Sequence, residues 1–170
     1  AKRILFAAVC VLLSSPLLAG QCGEKIMSCT MNAGAKSVEV CLNNSQTVYR
    51  FGPAGGAPEL ELSVPTRSVD YRPWPGVGLS IFETVTFFNA TYSYTVATGF
   101  QRGPDEGEDD IPPVFGSILI EEDGREAASL RCDKGSVMWS YGGGLFDAKK
   151  ALGLCWTSGP DARWMTCPNE

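Results

Sequence analysis

Polar and apolar residues alternate strictly along Glu59-Leu60-Glu61-Leu62-Ser63-Val64, so an extended backbone puts Leu60, Leu62 and Val64 on one face. A helix would scatter those side chains around its circumference. Other short runs rich in β-branched and aromatic residues, separated by turn-formers, restrict the chain to antiparallel strands with one dry face. Ser37 to Leu42 and Thr47 to Phe51 make a hairpin around Asn43-Asn44-Ser45-Gln46. Leu79 to Phe88 and Thr91 to Thr98 make a second, in which pairing about Asn89-Ala90 sets Phe87 opposite Tyr92 and Val85 opposite Tyr94. Ala90 tolerates left-handed backbone poorly, which leaves a longer loop or a bulge open there. A third hairpin turns on Asp123-Gly124 and sets Glu122 opposite Arg125, Ile120 opposite Ala127 and Ile118 opposite Ser129. Val137 to Tyr141 adds a strand. Only Leu145 to Leu152 has helical spacing, with Leu145, Ala148 and Leu152 on the packed side, Lys149 and Lys150 exposed, and Gly153 as a stop. The predicted fold is all-β, an antiparallel β-barrel or sandwich with one short C-terminal helix.

Residues 1–20 do not fit this pattern. Lys2 and Arg3 precede an apolar run from Ile4 that ends in the small residues Ala19 and Gly20, the pattern of an export signal. The run is shorter than the ~20 apolar residues that span a bilayer. The expected organisation is a signal peptide over 1–20 and a single β domain over 21–170, with no membrane span in the mature protein. Without the leader the chain has 12 basic and 19 acidic side chains, a formal charge of −7. That balance opposes nucleic acid and anionic lipid as partners.

Six cysteines remain in that mature chain: Cys22, Cys29, Cys41, Cys132, Cys155 and Cys167. An even number in an exported domain reads as three structural disulfides. The absence of histidine and of any Cys-x-x-Cys pair argues against a zinc centre. The same lack of histidine closes Ser-His-Asp and Cys-His catalysis, and neither Ser-x-x-Lys nor Gly-x-Ser-x-Gly occurs. Glycoside hydrolysis needs only two carboxylates, for which Glu83 is one candidate. An EF-hand count through the acidic loop fails at its glycine position, so no metal or other cofactor is expected.

Two groups of residues could bind a partner. Arg102 to Pro113 is the longest loop, and Asp105, Glu106, Glu108, Asp109 and Asp110 concentrate five carboxylates there, suited to steering a cationic protein. Trp74 lies between prolines, while Trp156, Arg163 and Trp164 lie between the last two cysteines. These are residue types enriched at interfaces, although large rings more often cap the end of a core. A neutral glycan is the other partner that the charge allows.

Tyr49-Arg50-Phe51-Gly52, Pro58-Glu59-Leu60-Glu61-Leu62 and Trp74-Pro75-Gly76-Val77-Gly78, within Cys22 to Cys132, resemble a group of small exported proteins of Gram-negative bacteria. The resemblance implies a periplasmic or extracellular location and transfers no catalytic residue. It leaves Cys155 and Cys167 unmatched, and closing the tail is the shortest use of those two, so they are expected to pair with each other, while the other four could pair in three ways. Ser158-Gly159-Pro160-Asp161-Ala162 is also similar to the Ser-Gly-x-x-Tyr loop of periplasmic lysozyme inhibitors, with alanine in the place of tyrosine. That likeness implies a small disulfide-supported β-barrel that works by binding. The expectation is a monomeric, non-enzymatic binding or inhibitor-type module of the cell envelope, with a carboxylate-dependent glycan hydrolase as the alternative.

Overall fold

The structure, a computed structural model, describes residues 21–103, 112–140 and 144–168. Strands β1 (Glu24–Met31), β2 (Lys36–Asn43), β3 (Gln46–Pro53) and β4 (Leu60–Pro65) form one sheet, to which the short β10 (Met138–Trp139) adds an edge beside β1. A second sheet runs β5 (Asp70–Arg72), β6 (Ser80–Asn89), β7 (Tyr92–Gln101), β8 (Phe115–Glu122) and β9 (Arg125–Arg131). The two sheets are not closed into a barrel, and of the two predicted architectures the fold is the β-sandwich. Helix α1 (Leu145–Ala151) and a two-stranded hairpin of β11 (Leu154–Trp156) and β12 (Trp164–Thr166) complete the chain. No helix among the described residues is long and apolar enough to cross a membrane.

Alternation places the core. Val38, Val40 and Leu42 of β2 and Ile81, Val85 and Phe87 of β6 are buried, and Leu60, Leu62 and Val64 of β4 pack against the resulting cluster. Tyr49 reaches from the first sheet to Phe87 and Tyr94 of the second, with ring centroids 5.3 and 5.7 Å apart. Three disulfides are present, Cys22–Cys41, Cys29–Cys132 and Cys155–Cys167, the last being the pairing expected for the tail. Cys29–Cys132 ties β1 of one sheet to the residue after β9 of the other. Beside it the Asp133 carboxylate accepts hydrogen bonds from the Gly34 and Ala33 amides and the Thr30 hydroxyl.

The first hairpin has the predicted arrangement, with Asn43 opposite Gln46 across the turn. In the second, the turn residues are Ala90 and Thr91. Asn89 therefore pairs with Tyr92, and Phe87 faces Tyr94, not Tyr92. Ala90 adopts the left-handed backbone after all, at φ 54°, and the Thr91 carbonyl accepts the Asp123 amide. A shift of two residues keeps every side chain on its face. It also aligns Thr86 with Thr95, whose hydroxyls are 2.9 Å apart.

The third hairpin turns on Asp123-Gly124 with Glu122 opposite Arg125, as predicted, but a bulge follows between Ile120 and Glu121. Ile120 then faces Ala128 and Ile118 faces Leu130, in place of Ala127 and Ser129. The bulge brings Leu130 rather than a serine against the core. A further correction concerns α1. Lys149 is not exposed but 1% accessible, because the helix packs through the Leu145 and Lys149 side. Gly144 precedes the helix at φ 50°, where a Cβ would lie 2.5 Å from the Ile26 side chain.

Candidate functional site

The C-terminal hairpin docks on the edge of the second sheet and forms a cleft there. Trp156 and Trp164 are a cross-strand pair of β11 and β12. Their ring centroids lie 5.5 Å apart, and Cys155–Cys167 closes the hairpin beside them. The Trp164 indole N–H donates to the Tyr71 carbonyl of β5 at 2.8 Å, and its ring packs on Tyr71 and on Phe146 of α1. Thr157 fixes the hairpin loop: its amide and hydroxyl donate to the Arg163 carbonyl, and its hydroxyl oxygen accepts the Arg163 amide.

Between this hairpin and the β4–β5 connection lies a volume of about 350 Å³, whose lining includes Arg67, Asp70, Arg72, Lys149, Trp156 and Arg163. Four cationic side chains meet one carboxylate, in a chain whose overall charge is negative. Arg67 Nη2 donates to the Leu152 carbonyl at 2.5 Å, while Lys149 Nζ donates to the Arg67 carbonyl at 3.1 Å. These two bonds staple the β4–β5 connection to the end of α1. Lys149 Nζ also lies 5.4 Å from the Trp164 ring centroid. Burial pulls the Lys149 ammonium down to about 8, opposed by the Asp70 charge and assisted by that of Arg67.

Trp156, Arg163 and Trp164, singled out in the sequence, thus come together at one cleft. Trp74 does not join them: its indole N–H turns back to the Val77 carbonyl of its own loop at 3.2 Å. Asp105, Glu106, Glu108, Asp109 and Asp110 lie outside the described residues. The lining also contains Arg67, Asp70, Arg72 and Lys149, none of which the sequence reading selected. Arg67 lies in the β4–β5 connection and Asp70 and Arg72 in β5, more than 80 residues before the C-terminal hairpin, and no local spacing links the two. Lys149 reads as the solvated side of a helix until the hairpin covers it.

Glu83 is the other buried ionisable group of interest. It is 7% exposed. One carboxylate oxygen accepts the Tyr71 hydroxyl at 2.7 Å and the other the Trp139 indole at 3.1 Å, which joins β6 to β10 of the opposite sheet. Burial pushes its carboxyl above the ordinary range, against the lowering effect of those two hydrogen bonds. With both oxygens engaged, and lining neither this cleft nor one beside Cys22, Glu83 has the surroundings of a structural carboxyl.

Among the described residues, the one group of three metal-ligand types is Cys22, Glu39 and Cys41, and both cysteines there are bridged. Comparisons with protein-family models, with curated proteins and with solved structures found no match for this chain.

Proposed function

We propose that the protein is a non-enzymatic binding module, exported to the cell envelope or beyond, and that its ligand site is the cleft between β5 and the C-terminal hairpin. The observation that carries this reading is the concentration of Arg67, Arg72, Arg163 and Lys149 around the Trp156 and Trp164 rings. Guanidinium groups recognise carboxylates through two parallel hydrogen bonds, and an indole face covers the flat apolar side of a sugar or a ring. The ligand class that satisfies both is a glycan carrying a carboxylate. Three disulfides are in keeping with an exported protein. The proposed ligand is thus an acidic glycan in place of the neutral glycan expected from the sequence, while a cationic protein would need the acidic loop.

Calorimetric titration with an oligosaccharide of uronic acids, beside its neutral counterpart, tests the reading. The acidic ligand binds and the neutral one binds at least about tenfold more weakly, the worth of one charge-assisted hydrogen bond. Arg163→Ala and Trp156→Ala each weaken the acidic ligand without lowering the melting temperature by more than a few degrees. Equal affinity for both ligands, or no change in either variant, would reject the cleft as the site.

A further inference from the structure

Cys22 and Cys41 differ sharply in their surroundings although they share one bond. Cys41 sits in the middle of its sheet, paired to Lys25 on one side and Val48 on the other, and is 0% exposed. Cys22 precedes β1, is partly exposed, and borders a cleft of about 280 Å³ whose lining includes Ser37, Glu39, Arg50 and Pro58. Arg50 Nη1 lies 3.9 Å from the Cys41 sulfur. Glu61 at 2.6 Å and Glu39 at 3.2 Å hold that guanidinium in place, and Lys25 lies 3.6 Å from the second Glu39 oxygen.

We propose that Cys22–Cys41 is a thiol-exchange site, at which a small external thiol attacks Cys22 and expels Cys41 as a thiolate beside Arg50. The incoming thiolate forms a bond to Cys22 Sγ through the open side of the cleft. The Cys22–Cys41 bond breaks with its electron pair on Cys41 Sγ, where the fixed guanidinium stabilises the charge. Exchange is faster when the charge on the leaving sulfur is stabilised, and the guanidinium in contact supplies that at Cys41 against the Glu39 carboxylate, which lies within 4.8 Å of both sulfurs. Attack at Cys41 is blocked by its burial. A second equivalent of the same thiol, attacking the mixed disulfide at the external sulfur, releases the oxidised small disulfide and leaves Cys22 reduced. The sandwich survives the opening, because Cys22 lies outside every strand and Cys41 keeps both strand neighbours. The other two bridges differ. Among the described residues, neither Cys29–Cys132 nor Cys155–Cys167 has a cation in hydrogen-bond reach of a sulfur, as Arg50 is of Cys41. The modification that results is a thiol adduct on Cys22, at the mouth of a polar cleft.

The test incubates the purified, fully oxidised protein with reduced glutathione at neutral pH, quenches samples in time with excess N-ethylmaleimide, and maps the cysteines by peptide mass spectrometry. The first product carries glutathione on Cys22 and maleimide on Cys41, with Cys29–Cys132 and Cys155–Cys167 intact. Arg50→Gln slows its formation by about threefold to tenfold, and Arg50→Lys, which keeps the charge, restores most of the rate. Glutathione on Cys41, earlier opening of either other bridge, or no adduct at all would overturn the proposal. So would an Arg50→Gln protein that exchanges as fast as the parent. The position of the adduct is read on the parent chain and stands even if a substitution at Arg50 impairs folding.

Discussion

Tyr49 of β3 and Phe87 of β6 meet across the sandwich with ring centroids 5.3 Å apart, and both side chains are fully shielded from solvent. With Tyr94, which also packs on Tyr49, they form an aromatic contact between the two sheets, so their coupling measures how far sheet-on-sheet packing holds the fold together. Phe87→Ala should destabilise by about 3–5 kcal/mol in urea unfolding, the usual cost of emptying a buried phenylalanine site. The Tyr49→Ala, Phe87→Ala double variant should lose about 0.5–1.5 kcal/mol less than the sum of the two singles, because the ring pair is lost only once. Strict additivity would mean that the rings do not interact.

The disulfides should rank by the length of chain they close. Cys29–Cys132 spans 103 residues and Cys155–Cys167 spans 12. Restriction of the unfolded chain then gives about 5 and about 3 kcal/mol respectively. Pairwise replacement by alanine, followed by denaturant unfolding, should show the larger loss for the inter-sheet bridge. The reverse order would show that native-state contacts of the tail outweigh chain entropy.

Much of this fold is legible in local sequence because strand faces follow from a period of two. Leu60, Leu62 and Val64 needed no tertiary information, nor did the Asp123-Gly124 turn. Registers were harder. Whether Asn89-Ala90 or Ala90-Thr91 forms the turn changes no face, so hydrophobic pattern cannot choose between them, and cross-strand fit such as Thr86 on Thr95 decides. The bulge after Ile120 is likewise set by the need to bring Leu130 inward. Of the cleft, Trp156, Arg163 and Trp164 stood out by residue type. Arg67, Arg72 and Lys149 did not, since only the docking of the tail on β5 brings them there.

Glu83 should make stability fall as the solution becomes less acidic. Its folded carboxyl titrates above the ordinary range because it is buried, so its favourable contribution is complete below the unfolded value of 4.5 and is lost as pH rises through the folded value. Glutamine can accept from the Trp139 indole and donate to the Tyr71 hydroxyl. Glu83→Gln should therefore match the parent at pH 4 and gain on it as pH rises above 4.5, levelling off once the folded carboxyl is ionised, in parallel urea titrations up to pH 8. A difference that stays constant over that range would show that Glu83 is not desolvated.

Lys149 should give the cleft a pH dependence of the opposite origin. Its ammonium, pulled down to about 8 by burial with Asp70 opposing and Arg67 assisting, is disfavoured in the folded state. Stability is penalised below pH 8 and recovers as pH rises from there toward the unfolded value of 10.5. Lys149→Met should abolish that recovery, seen as a flat melting temperature between pH 8 and 10. Binding of a uronate ligand should weaken from pH 7 to pH 9.5 in the parent as the cleft loses one of its four positive charges, and much less in the variant. An affinity that ignores pH in both proteins would exclude Lys149 from the site.

If the cleft between β5 and the C-terminal hairpin takes an acidic glycan, as proposed, the four indole N–H groups report on it separately. Trp156 and Trp164 stand at the cleft, whereas Trp74 bonds within its own loop and Trp139 donates to Glu83. Titration of ¹⁵N-labelled protein with a uronic acid oligosaccharide, followed by the indole resonances in NMR spectra, should move those of Trp156 and Trp164 in a saturable manner and leave those of Trp74 and Trp139 in place. Saturable shifts confined to Trp74 or Trp139, or four indole signals unmoved at millimolar ligand, would contradict it.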